Sequence, residues 1–263
     1  MEIVTIVGVL MGLGAVFGGA LIEGLHVSSI LQGTAAIIVF GGTIGAALVS
    51  FPQQDVKRAI SMLGIIFRTV DTDVREVIEE IIRVASVARK EGVLAVEGMR
   101  DSIQNPLFKK AIKYVIDGFE PQTVKDIMQA EIDIAFEEEE SAGKVWEGTG
   151  GYAPTIGIIG AVLGLIHVMA SMNEPGSDLG SGIAVAFVAT VYGVGSANLL
   201  FIPFGTKLKR KAHMRAAAKE VVKIGVIGIQ EGLNPHFLRE KLEVYVEEHL
   251  RGTHAKGGEA AKE

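Results

Sequence analysis

The apolar positions of this chain gather into four stretches without a single Asp, Glu, Lys or Arg: 3–22, 24–54, 148–173 and 179–206. A charge-free run of roughly 18 residues is long enough to cross the ~30 Å hydrocarbon core of a bilayer as a helix. The pattern predicts an all-α integral membrane protein with four transmembrane helices, at 1–22, 29–51, 150–172 and 179–204. The segment 52–147 between the second and third windows follows another rule. There Val74, Ile78, Ile81, Ile82, Val84, Ala85 and Ala88 recur at three-to-four spacing, with Arg75, Glu76, Glu79, Glu80 and Arg83 on the other face. That periodicity marks an amphipathic helix, and Asp71-Thr72-Asp73 offers its N-cap.

Asn105-Pro106 and Glu120-Pro121 mark breaks, because proline restricts the residue before it and starts a new helix well. A helix from about Pro121 then runs through Glu137-Glu138-Glu139-Glu140 toward the third span. That acidic run reads as a solvated face; the alternatives are a contact for a basic partner or an ion-attracting rim. After the fourth span a helix continues from Lys207 to about Glu231. Gly232-Leu233-Asn234-Pro235 stops it, and His236 to Leu250 forms a final amphipathic helix within the C-terminal segment 205–251. Residues 252–263 have the composition of a disordered tail.

Charge supplies the orientation. All 25 Lys and Arg residues lie between Lys57 and Lys144 or from Lys207 onward. The connections after spans one and three hold acids and no base, whereas Lys57, Arg58, Lys207, Lys209, Arg210 and Lys211 sit beside membrane ends. The positive-inside rule places the middle segment, the C-terminal segment and both termini in the cytoplasm of a bacterial inner membrane. The first span lacks a basic leader and a small-residue cleavage motif, so it reads as a retained anchor rather than a signal peptide. Many of the 33 glycines fall in spans, including Gly8, Gly12, Gly14, Gly18, Gly19, Gly41, Gly42 and Gly45, which predicts close helix packing there.

The candidate chemistry is sparse. Zero cysteines exclude disulfides and thiolate chemistry, and the net charge of -6 argues against general nucleic-acid binding. No phosphate-binding loop is present, the histidines lack metal-ligand spacing, and no catalytic constellation argues for an enzyme or a cofactor. The spans hold no ionisable residue except His167, near the outer end of span three. An ion conduit usually places such a residue at depth. What the spans offer is Thr155, Thr190, Tyr192, Ser196 and Asn198. Either this chain conducts nothing, or it builds the walls and a partner helix brings the carboxylate. The hydroxyls could equally serve only to bond back to their own helices. Pro154 reads as a helix starter or a break, and Pro203, inside an apolar run, as a kink.

Two segments carry a resemblance: GGYAPTIGIIGAVLGLIHVM (150–169) and GIAVAFVATVYGVGSANLLFIPF (182–204). Together with the span layout they make the chain resemble the MotA/TolQ/ExbB family over nearly its whole length. Four spans rather than three favour the flagellar stator branch. The resemblance implies a homo-pentamer around a MotB-like single-span partner that carries the ion-binding Asp. It implies contact with the rotor protein FliG through Arg89 and Glu97 in ARKEGVLAVEGMRDSIQNP; eight positions apart on a helix, these would share one face. It matches Pro154 and Pro203 to the prolines that couple ion passage to motion, and makes Thr155, Ala161, Ala189, Thr190 and Tyr192 line the ion path. Sodium-type relatives tend to carry Thr at the positions matching Ala161 and Ala189, so the alanines favour protons. A TolQ/ExbB-like energiser of envelope processes and a non-conducting scaffold stand as alternatives.

Overall fold

Each backbone polar group left unpaired in hydrocarbon costs several kcal/mol, so spans without charge must close their hydrogen bonds internally as helices. The computed structural model describes residues 2–69, 74–172 and 179–246, and every element among them is helical, as the all-α expectation requires. The expected cap at 71–73, the expected hairpin at 174–178, residues 247–250 of the expected final helix and the tail at 252–263 lie outside the described residues. The helices are α1 (Ile3–Ile22), α2 (Val27–Ile30), α3 (Gly33–Ala36), α4 (Gly42–Ser50), α5 (Gln53–Ser61), α6 (Leu63–Ile66), α7 (Val74–Glu91), α8 (Pro106–Ile116), α9 (Pro121–Ser171), α10 (Leu179–Ser196), α11 (Ile202–Gln230) and α12 (Pro235–Glu243). A π-helical turn at Ile37–Gly41 joins α3 to α4, another at Ala197–Phe201 joins α10 to α11, and a 3₁₀ helix spans Val93–Ser102.

The chain divides into two compact units, Met1–Thr69 with Glu138–Lys211, and Val70–Glu137 with Ala212–Glu263. Four helices of the first unit are long and apolar enough to cross a membrane: Ile3–Ile22, Val27–Ser50 and the apolar parts of Pro121–Ser171 and Leu179–Gln230. Helices α9 and α11 cross the sequence-predicted borders at 147–150 and 204–205 without a break, whereas the chain does break at the border near 51–52. Residues 53–66 and the turn around Ala142 to Trp146, expected with the charged segment, pack in the first unit instead. The reason is apolar and aromatic. Ala59, Met62, Ile66, Ala142, Val145 and Leu208 form one buried cluster flanked by Trp146 and Phe204. Trp146 Nε1 donates to the Ala59 carbonyl at 3.0 Å, and its ring stacks near Phe201 with centroids 6.0 Å apart. Aromatics at this level suit the membrane–water interface.

Close packing of glycine does occur, but in the last two spans rather than the first two. Gly8, Gly14, Gly18, Gly19, Gly41 and Gly45 would each accept a Cβ with nothing within 4 Å; only Gly12 and Gly42 face a side chain. On α9, by contrast, Gly143, Gly150, Gly157 and Gly164 recur every seven residues. A Cβ on Gly157 would lie 2.9 Å from Ala189 O, one on Gly164 2.9 Å from Ala186 N, and one on Gly143 2.9 Å from Gly205 O. From the other side, a Cβ on Gly193 would lie 2.5 Å from Ala153 O. Partner numbers fall as α9 numbers rise, so the two chains of helix run antiparallel with backbones in contact. Heptad spacing keeps the bare positions on one face.

Basic residues just beyond the fourth span fasten the start of the chain. The Lys211 ammonium, 4% exposed, donates to Glu2 Oε2 at 2.6 Å and to the carbonyls of Ile65, Ile66 and Arg68 at 2.8, 2.9 and 2.6 Å. Lys207 reaches Glu2 Oε1 at 2.8 Å, and the Glu2 amide donates to Phe67 O at 2.9 Å. Burial pushes the Glu2 carboxyl up, but the hydrogen bonds and charges of Lys207 and Lys211 together hold it below its ordinary value.

The second unit is built from α7, the 3₁₀ helix, α8, α12 and the portions of α9 and α11 that belong to it. Its core includes Ile78, Ile81, Val84, Phe108, Ile112, Met128, Val222 and Leu238. The predicted punctuation is present: Asn105 Oδ1 caps α8 by accepting from Phe108 N at 3.0 Å, and Gly232 at φ 66 ends α11. The final helix is shorter than expected, closing at Glu243.

The seam makes a direct prediction. Gly193→Ala must push two helix backbones apart and should lose about 1–3 kcal/mol of stability, the usual cost of overpacking. Gly195→Ala, where a Cβ meets nothing within 4 Å, should melt like the parent. Thermal unfolding of the two variants in detergent, compared side by side, checks this.

Candidate functional site

The polar residues and prolines that the sequence singles out in the spans sit on α9, α10, the π-helical turn after it and the start of α11. Thr43 on α4 is a further one, fully buried with no hydrogen-bond partner for its Oγ1 among the described residues. Pro154 lies deep inside α9, which rules out its reading as a helix starter. Lacking an N–H, it leaves the Gly150 carbonyl without its helical donor. Gly150 itself packs against the other proline's turn, because a Cβ there would lie 2.6 Å from Ile202 Cγ1 and 3.2 Å from Phe201 Cβ. Pro203 follows the π-helical turn directly, and the Ile202 N–H closes that turn by donating to Ala197 O, five residues back. The turn widens where proline cannot donate to Leu199, as breaks in membrane helices commonly do. The structure thus brings together the turns that precede both predicted coupling prolines.

The five predicted path residues separate into different environments. Thr155 is exposed, and its Oγ1 donates to Tyr152 O at 2.8 Å; Thr190 is half-buried and donates to Ala186 O at 3.4 Å. The bond back to the helix, one of the two sequence readings, is therefore present at both. It uses the hydroxyl proton and leaves oxygen lone pairs outward, so each threonine offers an acceptor. Ala161 is half-buried. Ala189 is fully buried in the seam, 2.8 Å from where a Cβ of Gly160 would sit.

Tyr192 has a use that sequence reasoning missed. Its hydroxyl donates to Ile30 O at 2.6 Å and accepts from Gln32 N at 3.2 Å, and its ring stacks on Phe40 with centroids 5.7 Å apart. Those two backbone groups are the ones freed where the second span breaks between α2 and α3. One side chain thus repairs a helix break that would otherwise leave polar groups unpaired in an apolar setting. No local signal marks this pairing, because the partners lie 160 and 162 residues apart. The glycine heptad, by contrast, was readable in the spacing of α9.

Where the third span begins and the fourth ends, Glu147 accepts from Lys209 and from Thr206 Oγ1, the latter at 3.2 Å. Arg58 joins Glu138 at 2.9 Å and Asp55 at 3.2 Å, so the acidic run is not merely a solvated face. In the second unit, Arg89 and Glu97 do not share one helix face, contrary to expectation. Arg89 lies in the last turn of α7, Gly92 at φ 89 ends that helix, and Glu97 sits on the following 3₁₀ segment. A left-handed residue suits glycine and stops the helical repeat. Both side chains are exposed, and neither forms an ion pair with another described residue.

Known proteins share this layout. The MotA/TolQ/ExbB proton channel family matches residues 99–221, and the motility protein A N-terminal family matches 6–92. Motility protein A of Bacillus subtilis is 30% identical over 261 residues, 99% of this chain and 96% of that protein. A structure described as C. jejuni MotAB superposes with a TM-score of 0.88 at 29% identity, covering 94% of this chain and 97% of that one. The flagellar MotAB stator complex of Bacillus subtilis gives 0.85 at 28% identity, covering 95% and 99%. With four apolar helices, a glycine seam and this full-length likeness, the chain belongs to the MotA/TolQ/ExbB proton channel family, in its motility protein A branch.

Proposed function

We propose that this chain is a stator subunit of a flagellar motor that, with a MotB-like single-span partner, converts ion flow into torque on the rotor. The observation that carries this reading is the full-length likeness to two solved MotAB chains. The spans agree with it, because they hold walls and acceptors but no carboxylate. A buried carboxylate at bilayer depth is costly and is kept where it works. In this reading it belongs to the partner helix, and five copies of this chain surround a partner dimer.

The mechanism assigns roles to this chain's own residues. The Thr155 and Thr190 oxygens accept hydrogen bonds along the path, while the seam on the far side of α9 and α10 holds the wall rigid. Neutralising and restoring the partner's acid changes how it sits against that wall. The turns before Pro154 and Pro203, in mutual contact at Gly150, are where the wall gives. Arg89 and Glu97 meet the rotor protein FliG; exposed opposite charges favour fast, reversible contacts. The chain sits in the bacterial inner membrane with both termini cytoplasmic, supported by the basic residues at the inner ends and by Glu2 lying between Lys207 and Lys211. The ion is the proton, since the path reading leaves only the Thr155 and Thr190 oxygens, where sodium would need several oxygen ligands.

Expression with its partner in motile cells lacking a stator should restore swimming; failure with both proteins in the membrane would sink the reading. In that setting Arg89→Glu or Glu97→Lys should cut swimming speed severalfold with membrane amounts unchanged. Normal swimming of the double reversal would remove both residues from the rotor interface. Swimming should also survive sodium depletion and stop on addition of a protonophore. Arrest in sodium-free medium would overturn the proton assignment.

A further inference from the structure

Lys211 is a charged side chain almost wholly withdrawn from water, and the path residues make no use of it. Its ammonium has three protons and meets four acceptors within 2.9 Å: one carboxylate oxygen and three carbonyls at the end of α6. The carboxylate is Glu2, which Lys207 grips through its other oxygen and whose amide bonds Phe67 O. Three remote stretches of sequence, around residues 2, 65–68 and 207–211, thus close on one another. All of them lie in the first unit.

The position is what gives this clamp a role. The chain leaves the first unit after Thr69 and again after Lys211. Arg68 O and Lys211, the groups at the clamp's centre, stand at or next to those exits. Motion generated among the spans must leave the first unit along these two stretches of backbone, and also along α9. A joint that slips would dissipate that motion; a joint held by a buried, charge-assisted network has one arrangement.

We propose that Glu2, Lys207 and Lys211 form a coupling joint that fixes two of the three crossings out of the first unit, those after Thr69 and after Lys211, so that displacement of the spans reaches the rotor-contacting residues rather than being lost locally. The inference rests on the stator reading. Glu2 and Lys211 act here as positioning residues: they touch neither the ion path nor the rotor-contacting side chains. Loss of the joint lowers the work obtained per ion without closing the path.

The test uses the full chain with its partner in cells without their own stator, comparing the parent with Glu2→Gln and Glu2→Asp. Glu2→Gln removes the charge and keeps the shape, whereas Glu2→Asp keeps the charge and shortens the reach. Three quantities are read for each: the amount of complex in the membrane, ion uptake into vesicles made from it, and torque of single tethered motors. Expected is a fall in torque of about threefold or more at near-parental ion uptake and amount, larger for Gln than for Asp. Parental torque in both variants overturns the proposal. So does torque that falls only in step with uptake or amount, since that describes a fold contact and not a joint. If Glu2→Gln does not accumulate, the ratio measured in Glu2→Asp decides. A parent that turns no rotor defeats the stator reading itself, which keeps the two failures apart.

Discussion

Two helix backbones can touch in a membrane only where their side chains vanish, and that constraint organises the first unit. Lipid tails are as apolar as leucine, so no hydrophobic drive pulls spans together; fit at short range does. Along α9 the fit is supplied by Gly143, Gly150, Gly157 and Gly164, answered by Ala186, Ala189, Gly193, Ile202 and Gly205 across the seam. The seam decides the rest. It sets which face of α10 carries Thr190 and which buries Ala189. It also brings the turn before Pro154 onto the residues before Pro203. Backbone that proline frees is accommodated there by a π-helical turn, in a place where water cannot help.

The polar groups that remain in the spans are disposed with economy. Tyr192 is committed to the broken second span, and the two threonines give their protons to their own helices. What is left over for an ion is a set of oxygen acceptors without charge. Such a wall can stabilise a passing cation or a protonated acid, but it cannot trade charge by itself. A group that does so must come from outside the chain, and the solved relatives are complexes with a second protein. The charges expelled from the spans are gathered beside the end of the second span, the start of the third and the end of the fourth, and beyond. Lys211, Lys209 and Arg58 tie the spans together there, whereas Arg89 and Glu97 are exposed on the second unit and form no ion pair among the described residues.

Much of this was legible in the residues. The spans were, because exclusion of charge from four windows is complete and the cost of breaking it is large. Helix α7 was, because its apolar repeat is strict, and so were the starts at Pro106 and Pro121. Other features depend on distant partners and leave no local trace. Nothing near Tyr192 announces Ile30 and Gln32, and nothing near Glu2 announces Lys211. The placing of Arg89 and Glu97 failed for a different reason. Counting turns assumes an unbroken helix, and Gly92 adopts a backbone that breaks it. Glycine was also read too generously in the first two spans, where most of it packs against nothing in this chain. Abundance alone did not distinguish those positions from the seven-residue rhythm of α9.

The central claim is that this chain is the wall of an ion path and not its binding group. Proton uptake into vesicles driven by a membrane potential tests it most directly, with the chain alone, with its single-span partner, and with a partner whose intramembrane acid is replaced by the amide. The account predicts uptake only in the second case. Uptake by the chain alone, or undiminished uptake with the amide partner, would contradict it.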